Sequence, residues 1–106
     1  MKTARVFYNH DLAGELRREE NGFVFRYRDE YFRDPRKPPI SLSLPKSKPE
    51  YRSEQLFPFF YGLLAEGETK AIQCRTLKID EDDHFERLIS TGSTATIGAV
   101  TVEEAR

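Results

Sequence analysis

GELRREENGFVFRYR, residues 14–28, is the stretch whose reading decides the fold. Before the break, Leu12, Gly14 and Leu16 alternate with Ala13, Glu15 and Arg17. After it, Phe23, Phe25 and Tyr27 alternate with Val24, Arg26 and Arg28. Side chains on a strand point to opposite faces in turn, so a period of two on both arms predicts two half-buried strands. Glu20-Asn21-Gly22 lies between them, and Asn-Gly supplies the positive φ angles of a tight hairpin turn. The expectation is an antiparallel hairpin from about Gly14 to Arg28. One face of its second arm is aromatic and the other is largely basic.

Upstream, Val6 to Tyr8 is a short strand-forming run that turns through Asn9-His10-Asp11. Downstream, Pro35, Pro38 and Pro39 remove ladder donors and fix φ, which predicts irregular chain over 29–39. Ile40-Ser41-Leu42-Ser43-Leu44 then alternates strictly and stops at Pro45, predicting a strand with Ile40, Leu42 and Leu44 on one face. Lys46 to Ser53 reads as a polar surface loop. Beyond it the period changes to that of a helix, with Phe57, Phe60, Tyr61 and Leu64 on one face and Pro58 tolerated in the first turn. A second helix is expected from about Glu68 to Leu77. A third, capped by Asp82 or Asp83, carries Phe85, Leu88 and Ile89 and ends near Gly92. Thr96 to Val102 is β-branched and reads as a closing strand. Strands, three short helices and a last strand predict an α+β fold, a small antiparallel sheet with helices packed on it.

The chain of 106 residues is a single domain, 1–106, of 38% hydrophobic and 33% charged residues, the balance of a water-soluble globular protein. No apolar run approaches the roughly 20 residues of a membrane helix, and the polar start does not read as a signal peptide. The single Cys excludes an internal disulfide framework and fits a reducing cytoplasm. Net charge is −1, composed of 12 Lys/Arg against 8 Asp/Glu over residues 1–52 (+4) and 5 against 10 over residues 53–106 (−5). That polarity suits docking on a partner better than general nucleic-acid binding.

Signatures of catalysis are scarce. The sequence has no phosphate-binding G-x-x-x-x-G-K-[ST] loop, no G-x-S-x-G elbow and no H-E-x-x-H pair. Asp80-Glu81-Asp82-Asp83 lacks the glycine turn and distal Glu of a calcium loop, and reads as a solvated linker that supplies a helix cap. His10 and His84 have no partners at metal-ligand spacing, so no metal and no cofactor is expected. Cys74 has nothing nearby to depress its pKa and reads as a half-buried helix residue. Gly92 to Gly98 is a polar loop, either a helix cap with a turn or a nest of N–H groups for an anion. Arg26 and Arg28 point away from the aromatic face, which argues against a stacking platform for single-stranded nucleic acid. Phe57-Pro58-Phe59-Phe60-Tyr61 cannot turn every ring to one sheet. Phe59 is left over, either for core packing around the helix or for a protein–protein contact.

At these residues the sequence resembles the N-terminal subdomain of the HipA family of bacterial Ser/Thr kinases. The matching pieces are Arg5-Val6-Phe7-Tyr8-Asn9, Ala13-Gly14-Glu15-Leu16, Phe25-Arg26-Tyr27 and Ser41-Leu42-Ser43-Leu44-Pro45. They continue through Phe59-Phe60-Tyr61-Gly62-Leu63-Leu64-Ala65-Glu66-Gly67, Phe85-Glu86-Arg87-Leu88-Ile89 and Gly98-Ala99-Val100. S-L-S-L-P with F-F-x-x-L-L-x-E-G downstream is the specific combination, and the resemblance covers nearly the whole chain. One departure is the Gly92 to Gly98 stretch, where the family commonly writes G-R-D-S/C-x-G.

The resemblance implies that the family's ATP-binding lysine, catalytic aspartate and metal-binding aspartate lie beyond this subdomain. A phosphotransfer site needs such groups, so a chain of this extent is expected not to be an enzyme. A free-standing subdomain is similar to the HipS-type antitoxins of HipBST-type toxin–antitoxin systems, where a shortened HipA-like kinase (HipT) is the toxin. Its implied partners are that kinase and a HipB-like helix-turn-helix protein, with no direct nucleic-acid or membrane contact. Two roles follow: an inhibitory module docked in trans on the kinase, or a structural subunit of a split kinase. A DNA-binding antitoxin is disfavoured, because no basic recognition helix is present. The residues expected at the docking surface are Phe59, Tyr61, Leu64, Ala65, Glu66 and Gly67.

Overall fold

The computed structural model describes residues 2–64, 66–91 and 99–105. Strands β1 (Thr3–Tyr8), β2 (Asp11–Glu19), β3 (Gly22–Tyr27), β4 (Glu50–Ser53) and β5 (Val100–Glu104) form one five-stranded sheet in the order β4-β3-β2-β1-β5. Every pairing is antiparallel, so β1 to β4 run as a meander and β5 returns to the free side of β1. Helices α1 (Asp29–Arg33), α2 (Pro58–Tyr61), α3 (Gly67–Leu77) and α4 (His84–Thr91) complete the α+β architecture.

Register explains the core. Ala4 pairs with Leu16, Leu16 with Phe25 and Phe25 with Tyr51, which sets a row of apolar side chains across the sheet. Val6 pairs with Val102 in a parallel row. Against this face pack Phe60, Leu63 and Leu64 from α2 and its following turn, and Phe85, Leu88 and Ile89 from α4. Pro58 occupies the first turn of α2 as expected, and Asp83 caps α4 by accepting the Glu86 N–H at 3.1 Å. A bulge between Val6 and Phe7 in the β1–β2 ladder makes room for Ala13, so that Ala13 and Gly14 are both buried. Gly14 has no alternative, since a Cβ there would lie 2.4 Å from the Arg26 carbonyl oxygen.

The hairpin from Gly14 to Arg28 forms, with Phe25 and Tyr27 buried and Arg26 exposed as anticipated, but Val24 on the opposite face is buried too (2% exposed) and Phe23 is only partly buried. Its turn differs. Glu19 pairs with Gly22, leaving Glu20-Asn21 as the loop, and of the three only Gly22 has positive φ (146°). A Cβ at Gly22 would meet the Ser53 carbonyl oxygen at 2.3 Å, so this glycine serves the approach of β4. The turn with two positive φ angles is instead Asn9-His10 (49° and 71°), between the paired Tyr8 and Asp11.

Three expectations are corrected. Ile40 to Leu44 is not a strand. Prolines at 38, 39 and 45 leave too few donors for a ladder, and the Ser41 hydroxyl takes the Ser43 N–H at 3.1 Å while Leu44 N–H bonds Ser41 O at 3.1 Å. The resulting turn buries Ile40 and Leu44 and leaves Leu42 96% exposed. The fourth strand is instead Glu50–Ser53, inside the segment read as a loop. Pro49 just precedes it, and its carbonyl accepts the Tyr27 N–H at 2.8 Å. Residues 29–33 form a short helix, favoured by Asp29 and Glu30 in the first turn and Arg33 in the last, before Asp34-Pro35 ends it. Gly92 to Gly98, including the first residues of the expected closing strand, lie outside the described residues.

Candidate functional site

The expected docking residues run from Phe59 and Tyr61 in α2 to Gly67, the first residue of α3. Tyr61 ends α2 with its ring 43% exposed and edge-on to His84, 4.9 Å between centroids. Sequence periodicity had placed Tyr61 with the buried face. The α2 helix is only one turn long, however, and the chain leaves it through 3₁₀-type bonds from Leu63 N–H to Phe60 O and Leu64 N–H to Tyr61 O. That tighter winding turns both Leu63 and Leu64 inward (4% and 8% exposed). Glu66 and Gly67 are exposed at the start of α3, where Gly67 has φ 63° and open space around its Cα. Tyr61, Leu64, Glu66 and Gly67 therefore come together around a small pocket of about 180 Å³, closed by Lys70 and Arg87. Ala65 lies outside the described residues.

Phe59 goes elsewhere. It is half-buried, edge-to-face on Phe60 at 5.3 Å between centroids, and lines a separate, largely apolar groove of about 440 Å³ with Tyr8, Pro39, Leu42 and Val100. Leu42 is the contact candidate that alternation concealed. It is held out on a loop pinned from several sides. The Tyr27 hydroxyl donates to Leu44 O and accepts the Ile40 N–H at 3.0 Å. Tyr31 donates to Pro38 O at 2.6 Å, Tyr51 to Pro45 O at 2.5 Å, and Lys46 Nζ to the carbonyls of Asp34 and Lys37, each at 2.7 Å. Burial pushes the phenols of Tyr27 and Tyr31 up to about 12, which keeps both protonated as donors across the physiological range.

α3 exposes most of its length. Cys74 is its one buried residue, as expected of a helix cysteine, and Ile72 and Leu77 are 47% and 46% exposed. A helix of 11 residues gains little stability from propensity alone, so it normally leans on tertiary packing. Beyond Tyr61, a wider groove of about 740 Å³ runs between the β2–β3 end of the sheet and the start of α4. Its lining includes Arg18, Phe23, Leu56, Asp80, Asp83 and His84, none of which the sequence had marked as contact residues. Among the described residues, no group of three or more His, Cys, Asp or Glu is placed to hold a metal, and no helix is long and apolar enough to cross a membrane. What the described surface offers is contact chemistry, set on a small antiparallel sheet with helices on one face.

The same architecture recurs in known proteins. The HipA N-terminal domain family matches residues 4–103, and the chain belongs to that family. An uncharacterized protein of Haemophilus influenzae is 34% identical over 104 residues, covering 98% of this chain and 93% of the relative. Among solved structures, the N-terminal domain of HipA toxin superimposes with a TM-score of 0.77 at 28% identity, covering 100% of this chain and 94% of that one.

Proposed function

We propose that the chain is an antitoxin-type regulatory module that docks in trans on a HipA- or HipT-like Ser/Thr kinase and inhibits it, taking the place that the N-terminal domain holds in a full-length HipA. The observation that carries this is the end-to-end match to the N-terminal domain of HipA toxin, with 100% and 94% of the two chains aligned. A domain of that kind belongs against a kinase body. The exposed α2–α3 segment supports the placement: Tyr61, Glu66 and Gly67 face outward beside a helix that buries only Cys74. Tyr61 and Glu66 touch the kinase, Leu64 supports them from beneath, and Phe59 contributes from the neighbouring groove. The α2–α3 turn, carrying Ala65, approaches the nucleotide cleft and hinders its closure. A HipB-like helix-turn-helix protein completes a ternary assembly.

Gel filtration of the chain with a purified HipA- or HipT-like kinase from the same genome tests the docking. A single co-eluting peak that is lost with Tyr61→Ala, at unchanged thermal stability of the variant, is the expected result. Separate elution of the two wild-type proteins at micromolar concentration overturns the proposal.

A further inference from the structure

The groove between the sheet end and α4 has an uncompensated charge. Four carboxylates line it, from Glu54, Asp80, Asp82 and Asp83, against the single guanidinium of Arg18. Arg18 is already committed, with Nη1 3.0 Å from Asp83 Oδ1 and its guanidinium 5.4 Å from the centre of the Phe85 ring. Asp80 Oδ1 accepts only the Asp82 N–H, at 2.8 Å, and the carboxylates of Glu54 and Asp82 have no ion pair among the described residues. Between these acids the lining is apolar and aromatic, from Phe23, Leu56 and the exposed Tyr61.

From this we infer that the groove is a recognition site for an arginine-bearing extended segment of a protein partner. Two features choose this occupant. Charge complementarity is the first: three carboxylates with no ion pair among the described residues lie on one concave surface, where they concentrate negative potential and favour a cationic side chain. The second is the intramolecular precedent of Arg18, whose planar cation lies over an aromatic ring while a carboxylate takes its N–H groups. A guanidinium satisfies both kinds of contact at once, whereas an ammonium is a compact, strongly hydrated point charge. An incoming arginine would repeat that arrangement on Tyr61 or Phe23, with Asp80, Asp82 and Glu54 as acceptors, while an apolar neighbour in the segment packs on the other ring.

The groove shares Tyr61 with the proposed kinase-facing surface, but its test contains no kinase, so the two readings can fail separately. A capped six-residue peptide alternating arginine and leucine is titrated into the full chain, following amide and aromatic NMR signals. Expected are saturable shifts at Phe23, Tyr61, Asp80 and His84, weakening steadily as salt screens the charges. Asp80→Asn with Asp82→Asn is expected to weaken binding by roughly three- to tenfold, since each exposed charge pair contributes little alone. Asparagine retains an acceptor for the Asp82-position N–H, and Glu54→Gln provides an independent variant outside that turn. The citrulline counterpart, isosteric and uncharged, should not bind. Absence of shifts, binding indifferent to both variants, or equal binding of the citrulline peptide overturns the inference. Equal binding of a lysine–leucine peptide overturns the assignment to guanidinium.

Discussion

Removing one oxygen from the core, in Tyr27→Phe, isolates what holds the Leu42 loop. The ring is kept, with its edge contact to Phe25 at 4.9 Å and its stacking on Tyr31 at 6.0 Å, so apolar packing is conserved. Two backbone groups lose their partner: the N–H of Ile40 and the carbonyl of Leu44, on residues only 5% and 2% exposed. A buried donor or acceptor left without a partner costs about 1–3 kcal/mol, so the pair predicts a loss of about 2–6 kcal/mol. That is a large share of the roughly 5–15 kcal/mol that stabilises a domain of ordinary size. With a mid-range urea slope of about 2 kcal/mol/M, out of the usual span of about 1–3, the unfolding midpoint falls by about 1–3 M. Urea unfolding followed by circular dichroism, at unchanged slope, measures it, and amide exchange at Ile40 reports the local opening. A Tyr27→Phe midpoint within about 0.3 M of the parent, which at these slopes is under about 1 kcal/mol, would refute the clamp.

Because the phenols of Tyr27 and Tyr31 are raised from 10 to about 12, the folded state holds these protons more tightly than the unfolded one. Their contribution is therefore complete below pH 10 and is lost between pH 10 and about 12; a pH series of melting temperatures should fall there, less steeply in Tyr27→Phe. Gly14→Ala forces a methyl group against the Arg26 carbonyl and should cost about 1–3 kcal/mol in thermal or urea unfolding; an unchanged midpoint would contradict the close approach of β2 and β3. Leu64→Arg buries a charge at an 8% exposed position, so it should lower the melting temperature by several degrees, whereas Tyr61→Ala should leave it within about 2 °C. Of the two, only Tyr61→Ala tests the surface without disturbing the fold.

What was readable in the residues follows from how local each signal is. The hairpin of residues 14–28 and the α4 helix declare themselves because their apolar residues recur at strand and helix spacing, even though Val24 and Arg87 are buried off that pattern. Ser41 to Pro45 shows the opposite case. Its alternation satisfied the strand pattern, yet a strand also needs backbone partners, and the hydroxyls that occupy those groups come from Tyr27, 13 and 17 residues away, and from Tyr51 on the next strand. Glu50–Ser53 carries too little hydrophobic pattern to show as a strand, being an edge that owes its form to pairing with β3. Of the residues expected at the docking surface, Tyr61 and Glu66 are exposed, Phe59 is half-buried and Leu64 is buried. Helical periodicity puts Leu64 inward but Tyr61 with it, because it implies a longer helix than the single turn of α2. The charged groove was hidden for the same reason as the loop clamp: Arg18, Glu54 and Asp80 meet only through the fold.

Kinase activity in the presence and absence of the chain tests the central claim most directly. Autophosphorylation and substrate phosphorylation by a purified HipA- or HipT-like kinase from the same genome are measured as the chain is titrated to one equivalent and beyond. Activity falling toward zero near equimolar chain, and restored by Tyr61→Ala, is the result predicted for an inhibitory module. Activity that appears only when the chain is added would contradict it, and would make the chain a structural subunit of its partner.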